Sequence, residues 1–533
     1  MDAIDKAIEA KNHINTALFF YKQIWEEFEA VAKDNRIVLF GAGVGADYYI
    51  YKYGSRAKID GCIDNNINIQ GVSLRDVLWE AMDDQYENIR IHGVSLLETM
   101  NPNETLILIT ILRNHESVIS DLIKRGFNKC FSLLLMENTY RNSDAYKQNG
   151  ESHQFRNIDH ICNLYKQVPI IKNKIVIYTE CDGVGHGKEI AKGILSNSAE
   201  VDIVWFVNNL KSTVPSGVRK ILRSNFRAFA YEFLTAKIIL VDTLITDAIK
   251  KREGQLYIQI KHWGSITLKT FGYDYAKNSH DLKMMEICDG NQEMTDYIMV
   301  GSDFDEKTCR SGFGERGVMV HVGSPRSDIL FRDDNLVARE TYNVPSDVKL
   351  MLYAPTFRLY SNEWENVRII SDLNYEMIKK AVEHKFGGKW MFLFRVHPAF
   401  KAKKRDFFLP EYVIDVSDYQ DGEELVAVSD IMITDYSSIM FEPAYVKKPV
   451  FLLATDLHKY LEEERGFLID YNTLPFPIAE SNEELGKNIE HFDVKKYEQK
   501  IEQFLVKYGV HEDGHAGERA ARFIIDLLDG KGK

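Results

Sequence analysis

The chain has 533 residues, 45% of them hydrophobic and 27% charged, with a formal net charge of −13. That length exceeds what one core organises and predicts about three domains of ordinary globular composition. The acidic balance, with no basic stripe, excludes a nucleic-acid binder. The apolar runs are too short to cross a bilayer.

Six cysteines (Cys62, Cys130, Cys162, Cys181, Cys288 and Cys309) form no C-x-x-C pair, which predicts a reducing compartment and no zinc site. Residues 1–10 are charged and lack an apolar signal core. The expectation is a cytoplasmic protein, at most peripheral to the inner face of the plasma membrane.

In chain order, residues 1–33 carry Ile4, Ile8, Ile14, Leu18 and Phe19 near a 3.6-residue period and predict an amphipathic helix. R-I-V-L-F-G-A-G-V-G-A-D then opens an α/β unit, with a strand over 37–40, a glycine-rich turn and a helix from about Gly45. Further strands are predicted over 59–63 and 105–110 and a helix over 116–125, the rhythm of a doubly wound sheet. The turn, with Gly41, Gly43 and Gly45, resembles a dinucleotide fingerprint, and Asp64 follows at about the 20-residue spacing of a ribose-binding acid. Such a turn serves helix–strand packing equally well, and no hydride-transfer partner accompanies it. The domain is read as an accessory Rossmann-like module with room for a nucleotide.

Residues 138–160 are polar and aperiodic and predict a linker, so the first domain is set at 1–150. A second α/β rhythm runs through K-I-V-I-Y-T, V-D-I-V-W-F-V, A-K-I-I-L-V-D, Q-L-Y-I-Q-I and D-Y-I-M-V-G-S, giving a domain at 151–325. A third, at 326–533, has strands at K-L-M-L-Y-A-P, W-M-F-L-F-R-V-H-P, I-M-I-T and P-V-F-L-L. Two consecutive Rossmann-like halves facing a cleft suit a nucleotide-activated donor.

Chemistry-bearing residues collect at predicted strand ends. After a strand of the second unit, C-D-G-V-G-H-G-K brings Cys181, Asp182, His186 and Lys188 together. No second cluster completes a metal shell, so this loop is assigned to the acceptor side of the cleft and no metal is expected. Q-I-K-H-W-G-S-I-T-L-K follows another strand. Gly264 permits a tight turn there, and Ser265, Lys269 and the following helix are expected to form a phosphate-type cradle on the acceptor side. His262 stands at that strand end, where a neutral imidazole can take a proton from a hydroxyl near pH 7; a buried structural histidine is the competing reading.

In the third unit Thr356 and Arg358 of Y-A-P-T-F-R, and Arg395 and His397 of R-V-H-P, fall at the carboxyl edge of the predicted sheet. Residues 431–434 predict a strand, Asp435, Tyr436, Ser437 and Ser438 a polar turn, and 439–446 a helix. Free N–H groups, hydroxyls and a positive helix end at such a turn can hold a phosphate. Glu442 is placed to accept a polyol hydroxyl. Arg358, Arg395 and His397 are expected to neutralise a diphosphate and a departing nucleoside monophosphate. The competing reading pairs the arginines with carboxylates. No metal or other cofactor is expected.

Taken in order, K-H-W-G-S-x-x-L-K, G-S-P-R-S-D-I-L, Y-A-P-T-F-R, R-V-H-P, D-Y-S-S and K-P-V resemble the CDP-glycerol glycerophosphotransferases over roughly residues 175–480. These enzymes build teichoic acids and related surface polymers, capsule among them. The resemblance implies a GT-B architecture of two Rossmann-like domains, with CDP-glycerol or a similar CDP-alcohol held mainly by the second. Arg326, Thr356, Arg358, Arg395, Asp435, Ser437, Ser438 and Glu442 are then its donor-binding residues. It also implies transfer to a polymer or lipid-linked acceptor with release of CMP, and one important histidine in each half, His262 and His397. A homo-oligomer is compatible with the sequence.

The family usually reads W-H-G where this chain has H-W-G. A one-residue shift on an ideal strand turns a side chain to the other face. Either a backbone irregularity before Gly264 brings His262 to the site, or Trp263 holds the usual base position and the base is sought among Asp182, His186 and Glu442. His262 is taken as the base. The rival readings are a GT-B glycosyltransferase using a nucleotide sugar and a nucleotide-sensing protein without turnover.

Overall fold

The computed structural model describes residues 19–53, 58–81, 83–112, 115–143, 162–163, 165–198, 200–245, 249–314, 316–332, 337–356, 358, 370, 372–396, 409–464 and 466–531. Its strands form where apolar residues run almost continuously, as expected for sheets covered on both faces.

The first sheet has β1 (Arg36–Phe40), β2 (Gly61–Ile63), β3 (Ile91–His92), β4 (Thr105–Ile109) and β5 (Cys130–Ser132), in the spatial order β3-β2-β1-β4-β5 with every pairing parallel. The second contains β6 (Ile171–Tyr178), β7 (Asp202–Val207), β8 (Arg219–Leu222), β9 (Ala236–Val241), β10 (Leu256–Gln259), β11 (Tyr297–Val300) and β12 (Val318–His321), in the order β12-β11-β10-β9-β6-β7-β8. The third contains β13 (Val348–Tyr353), β14 (Lys389–Phe394), β15 (Val413–Asp415), β16 (Ile431–Thr434), β17 (Val450–Leu453) and β18 (Ile478–Ala479), all parallel, in the order β15-β14-β13-β16-β17-β18. In each sheet the order reverses beside its first strand, a topology that leaves the carboxyl ends of neighbouring strands open to a ligand.

The chain divides into two compact units. One comprises Met1–Ile170, Phe206–Leu210 and Lys220–Thr235; the other comprises Ile171–Trp205, Lys211–Arg219 and Ala236–Lys533. Within the second unit, Ile266 and Leu268 are fully buried in the same core as β13, β16 and β17, although they directly follow β10 in sequence.

Two expectations change at element level. The helix expected over 1–33 is described only as Trp25–Ala32, residues 1–18 lying outside the described residues. The linker expected over 138–160 begins inside a helix, Leu133–Arg141. Ser132 caps that helix by accepting from Leu135 N–H, and buried Leu133, Leu134 and Met136 anchor it, so polar residues 138–141 continue it. Residues 144–161 lie outside the described residues.

Candidate active site

The H-W-G segment is built by a break in strand geometry. β10 ends at Gln259, and Lys261 adopts a left-handed backbone with φ of 46°. This costs a non-glycine residue about 1 kcal/mol or more, and side-chain bonds hold it in place. Lys261 Nζ lies 2.9 Å from Asp305 Oδ2 and donates to Gly264 O at 2.7 Å, in a fully buried ion pair. Asp305 also accepts from Trp263 Nε1 at 2.9 Å, and the Trp263 ring packs on Phe271 and Phe313. Trp263 is therefore a core residue, and His262, beside it, is exposed. His262 Nδ1 lies 3.3 Å from Asp242 O. A carbonyl only accepts, so this contact puts the proton on Nδ1 and the basic lone pair on Nε2.

His186 has a different task. It is buried in the first turn of the helix Gly185–Asn197, with Nε2 2.7 Å from Trp263 O and Nδ1 accepting from Arg326 N–H at 3.3 Å. Burial, then the charges of Lys261 and Arg326, push its pKa well down. A neutral ring with both nitrogens occupied joins the H-W-G loop to the G-S-P-R loop, and it is poorly suited to act as a base.

Ser265 and its neighbours do not form the expected cradle. Ser265 N–H donates to Tyr445 OH at 2.9 Å, and its hydroxyl donates to Glu512. A side chain on Gly264 would lie 2.8 Å from Tyr445 Oη, so close approach fixes glycine there. No helix follows directly. Residues 265–270 run across the third-sheet core: Thr267 Oγ1 is 3.1 Å from Ser438 Oγ, Leu268 N–H donates to Ser438 Oγ at 3.0 Å, and Leu268 O accepts from Leu468 N–H at 2.7 Å. Lys269 is half-buried, its ammonium 5.2 Å from the Tyr460 ring centroid.

In the third sheet the arginine and carboxylate residues largely satisfy one another. Arg358 is buried, with its guanidinium 2.6 Å from Asp435 and 2.9 Å from Asp456, over the rings of Tyr436 and Tyr460. Asp435 also accepts from Thr356 N–H at 2.9 Å, Thr356 Oγ1 at 2.5 Å and Tyr436 N–H at 2.7 Å. Arg358, Thr356 and Asp435, expected at a diphosphate, are thus brought together in a buried network that shapes the turn, one guanidinium being shared by the carboxylates of Asp435 and Asp456.

The helix expected over 439–446 is a 3-10 turn, Ser438–Met440, followed by a five-residue helix, Phe441–Tyr445. Left-handed Lys447 (φ 58°) ends it before Pro449. Ser437, half-buried, caps the 3-10 turn, whereas the Ser438 hydroxyl is committed to residues 267 and 268. Arg395 donates to Tyr419 O at 2.7 Å and lies against Gly422. His397 lies outside the described residues.

Arg326 is the hub that ties the strand ends together. Its guanidinium donates to His262 O and pairs with Glu423, and its Nε lies 3.1 Å from Glu442 Oε1. Nearby, Lys188 pairs with Asp421 and, at 2.8 Å, with Glu424. Burial and the neighbouring Asp421 and Glu442 raise the Glu423 pKa despite Arg326. Burial likewise raises that of Glu442, whose Oε2 is buried with no hydrogen-bond partner among the described residues. A lone buried carboxylate oxygen costs about 1–3 kcal/mol unless a proton or ligand meets it. This cluster was not legible as a unit, because Glu423 sits in an ordinary acidic first turn (Gly422–Val428) far along the chain.

The glycine turn of the first sheet is a packing device. A side chain at Gly45 would meet Thr110 O at 2.0 Å. Asp64 Oδ2 accepts from Ala42 N–H at 2.8 Å and Oδ1 accepts from Asn66 N–H, so the acid expected at a ribose closes its own turn. Gly41 carries the positive φ of that turn, while Gly43 faces open space. Among the described residues no group of three or more His, Cys, Asp and Glu side chains could hold a metal ion, and no helix is long and apolar enough to cross a membrane.

Parallel sheets whose strand ends carry an exposed histidine and a buried Arg–Glu cluster define an α/β enzyme. Residues 162–526 match the family described as CDP-glycerol:poly(glycerophosphate) glycerophosphotransferase. The teichoic acid poly(glycerol phosphate) polymerase of Staphylococcus epidermidis is 24% identical over 556 residues, covering 96% of this chain and 72% of the relative. The teichoic acid glycerol-phosphate transferase of Staphylococcus aureus is 26% identical over 407 residues, covering 69% of this chain and 97% of that protein. A structure of the wall teichoic acid polymerase TagF superposes with a TM-score of 0.59 at 25% identity, covering 70% of this chain and 94% of the other. The chain belongs to the CDP-glycerol:poly(glycerophosphate) glycerophosphotransferase family.

Proposed function

We propose that the protein transfers glycerol phosphate, or a related polyol phosphate, from a CDP-alcohol to a hydroxyl of a bacterial surface polymer and releases CMP. The family match over residues 162–526 carries this reading, because it spans every motif gathered around Arg326 and His262. The acceptor hydroxyl gives its proton to His262 Nε2 as its oxygen attacks the β-phosphorus; the new O–P bond forms while the P–O bond to CMP breaks. Catalysis rests on positioning and electrostatics, with no covalent intermediate.

Arg395, Ser437 and His397 are the groups assigned to the leaving CMP. Glu442 Oε2 is assigned to a hydroxyl of the polyol. Arg358, Asp435, Thr356 and Ser438 act by holding the turn in shape. The architecture proposed is GT-B, with halves at 151–325 and 326–533 and an accessory Rossmann-like domain at 1–150. The proposed setting is the cytoplasmic face of the membrane, where a lipid-linked acceptor would be met.

The test is incubation with CDP-glycerol, CDP-ribitol and UDP-sugars in the presence of a glycerol-phosphate acceptor. CMP release from a CDP-alcohol, with none of UDP from the sugars, is expected; the reverse pattern would establish a glycosyltransferase.

A further inference from the structure

A cavity of about 380 Å³ in the first unit lies outside everything assigned above. Its walls include Arg75 and Arg90 near β3, Arg227 and Tyr231 on the helix Phe226–Thr235, and Tyr165. Only two carboxylates, Asp76 and Glu87, line it against three guanidinium groups, in a chain whose overall charge is −13. Arg75 is paired at 3.0 Å with both Asp84 and Glu87, yet those side chains are largely exposed and the pairing is weak in water. Arg75 Nε is buried and makes no hydrogen bond among the described residues. Burial, then the Arg75 charge, lower the Arg227 pKa, so the two cations repel each other across one cavity even with Asp76 and Asp84 nearby. Tyr165 and Tyr231 meet edge to face at 5.4 Å and give the cavity an aromatic wall.

We infer that this cavity binds a phosphate ester, with the guanidinium groups of Arg75, Arg90 and Arg227 gripping the phosphate and the two tyrosines covering its organic part. Arginine suits that task because its planar fork meets phosphate oxygens two at a time. The volume admits a nucleoside monophosphate or a short stretch of a phosphodiester chain, and both present the same chemistry. The inference is independent of the transfer reaction.

Calorimetric titration of the full chain with inorganic phosphate, CMP and a synthetic glycerol-phosphate hexamer tests it. Arg75→Gln/Arg227→Gln is expected to weaken CMP or hexamer binding at one site about tenfold, the usual worth of a charged hydrogen bond. The saturated rate of CMP release should be unchanged. Arg90→Gln alters an exposed side chain, so its fold is safe, and it should weaken the same probe by a smaller factor. Loss confined to CMP identifies a nucleotide site, and loss confined to the hexamer a polymer site. Unchanged binding of CMP and hexamer in Arg90→Gln and in the double variant, or a change confined to inorganic phosphate, would overturn the inference. Should the double variant not fold, Arg90→Gln alone decides.

Discussion

Lys261 separates the fates of His262 and Trp263. Its left-handed backbone breaks the alternation of β10, so the indole enters the core while the imidazole stays in solvent. His262→Ala is expected to cut turnover by about two to four orders of magnitude, with donor binding little changed, measured as CMP release beside CDP-glycerol titration. Trp263→Phe should be mild in turnover, since a ring is kept beside Phe271 and Phe313 while the bond to Asp305 and part of the indole's volume are lost. Exchanging the pair to W-H-G would place imidazole against Phe271 and Phe313 and is expected to lower both stability and activity.

Lys261→Ala leaves Asp305 buried without its cation, with an expected loss of about 3–5 kcal/mol in a denaturant titration. That the H-W-G segment needs a backbone irregularity to present His262 was legible in the sequence, which left Trp263 as the other reading. The device that turns it outward was not, because its anchor, Asp305, lies on another helix, Asp303–Phe313.

Glu423 gives a pH prediction at the same scale. Its folded pKa is raised, so the native state binds more protons than the unfolded chain between the ordinary carboxylate range and the raised value. This contribution to stability is present in full below the ordinary range and is lost as pH rises through the folded value. Melting temperature should therefore fall between about pH 5 and about pH 8, and less so in Glu423→Gln. Equal slopes in the two proteins would contradict the assignment.

At the scale of elements, residues 264–270 act as a strap from the second sheet into the core of the third. Leu268→Ala is expected to destabilise the second unit by about 2–5 kcal/mol, and Ser438→Ala by about 1 kcal/mol, read from thermal melts. Interior strands such as β9, β13 and β17 were legible because uninterrupted apolar runs leave little alternative. Short edge strands such as β8, β15 and β18 were not, since each is only partly buried and resembles a loop in composition. The strap was missed for a related reason. Alternating Ile266 and Leu268 signal burial but not which sheet buries them, and a long-range docking leaves no local mark.

For the whole molecule, the motifs that gave the family contain His262 and Arg326, which the fold of the second unit brings together, while their electrostatic surroundings came from folding. Arg326 was expected at a ligand and is found between Glu423 and Glu442. Arg358 was expected at a diphosphate and is found between Asp435 and Asp456. A chain beginning at residue 151 keeps every residue assigned to the transfer reaction and is expected to release CMP. Its melting temperature should be lower, because Phe226 loses the ring of Trp79 stacked on it at 4.2 Å.

The central role is that of His262, proton acceptor in the proposed CDP-alcohol transfer. The direct measurement is single-turnover CMP release from CDP-glycerol with a glycerol-phosphate acceptor, comparing wild type, His262→Ala and Trp263→Phe. A rapid wild type, a near-normal Trp263→Phe and a His262→Ala slowed about a hundredfold or more is the expected result. Full activity in His262→Ala, or no CMP release by the wild type, would contradict it.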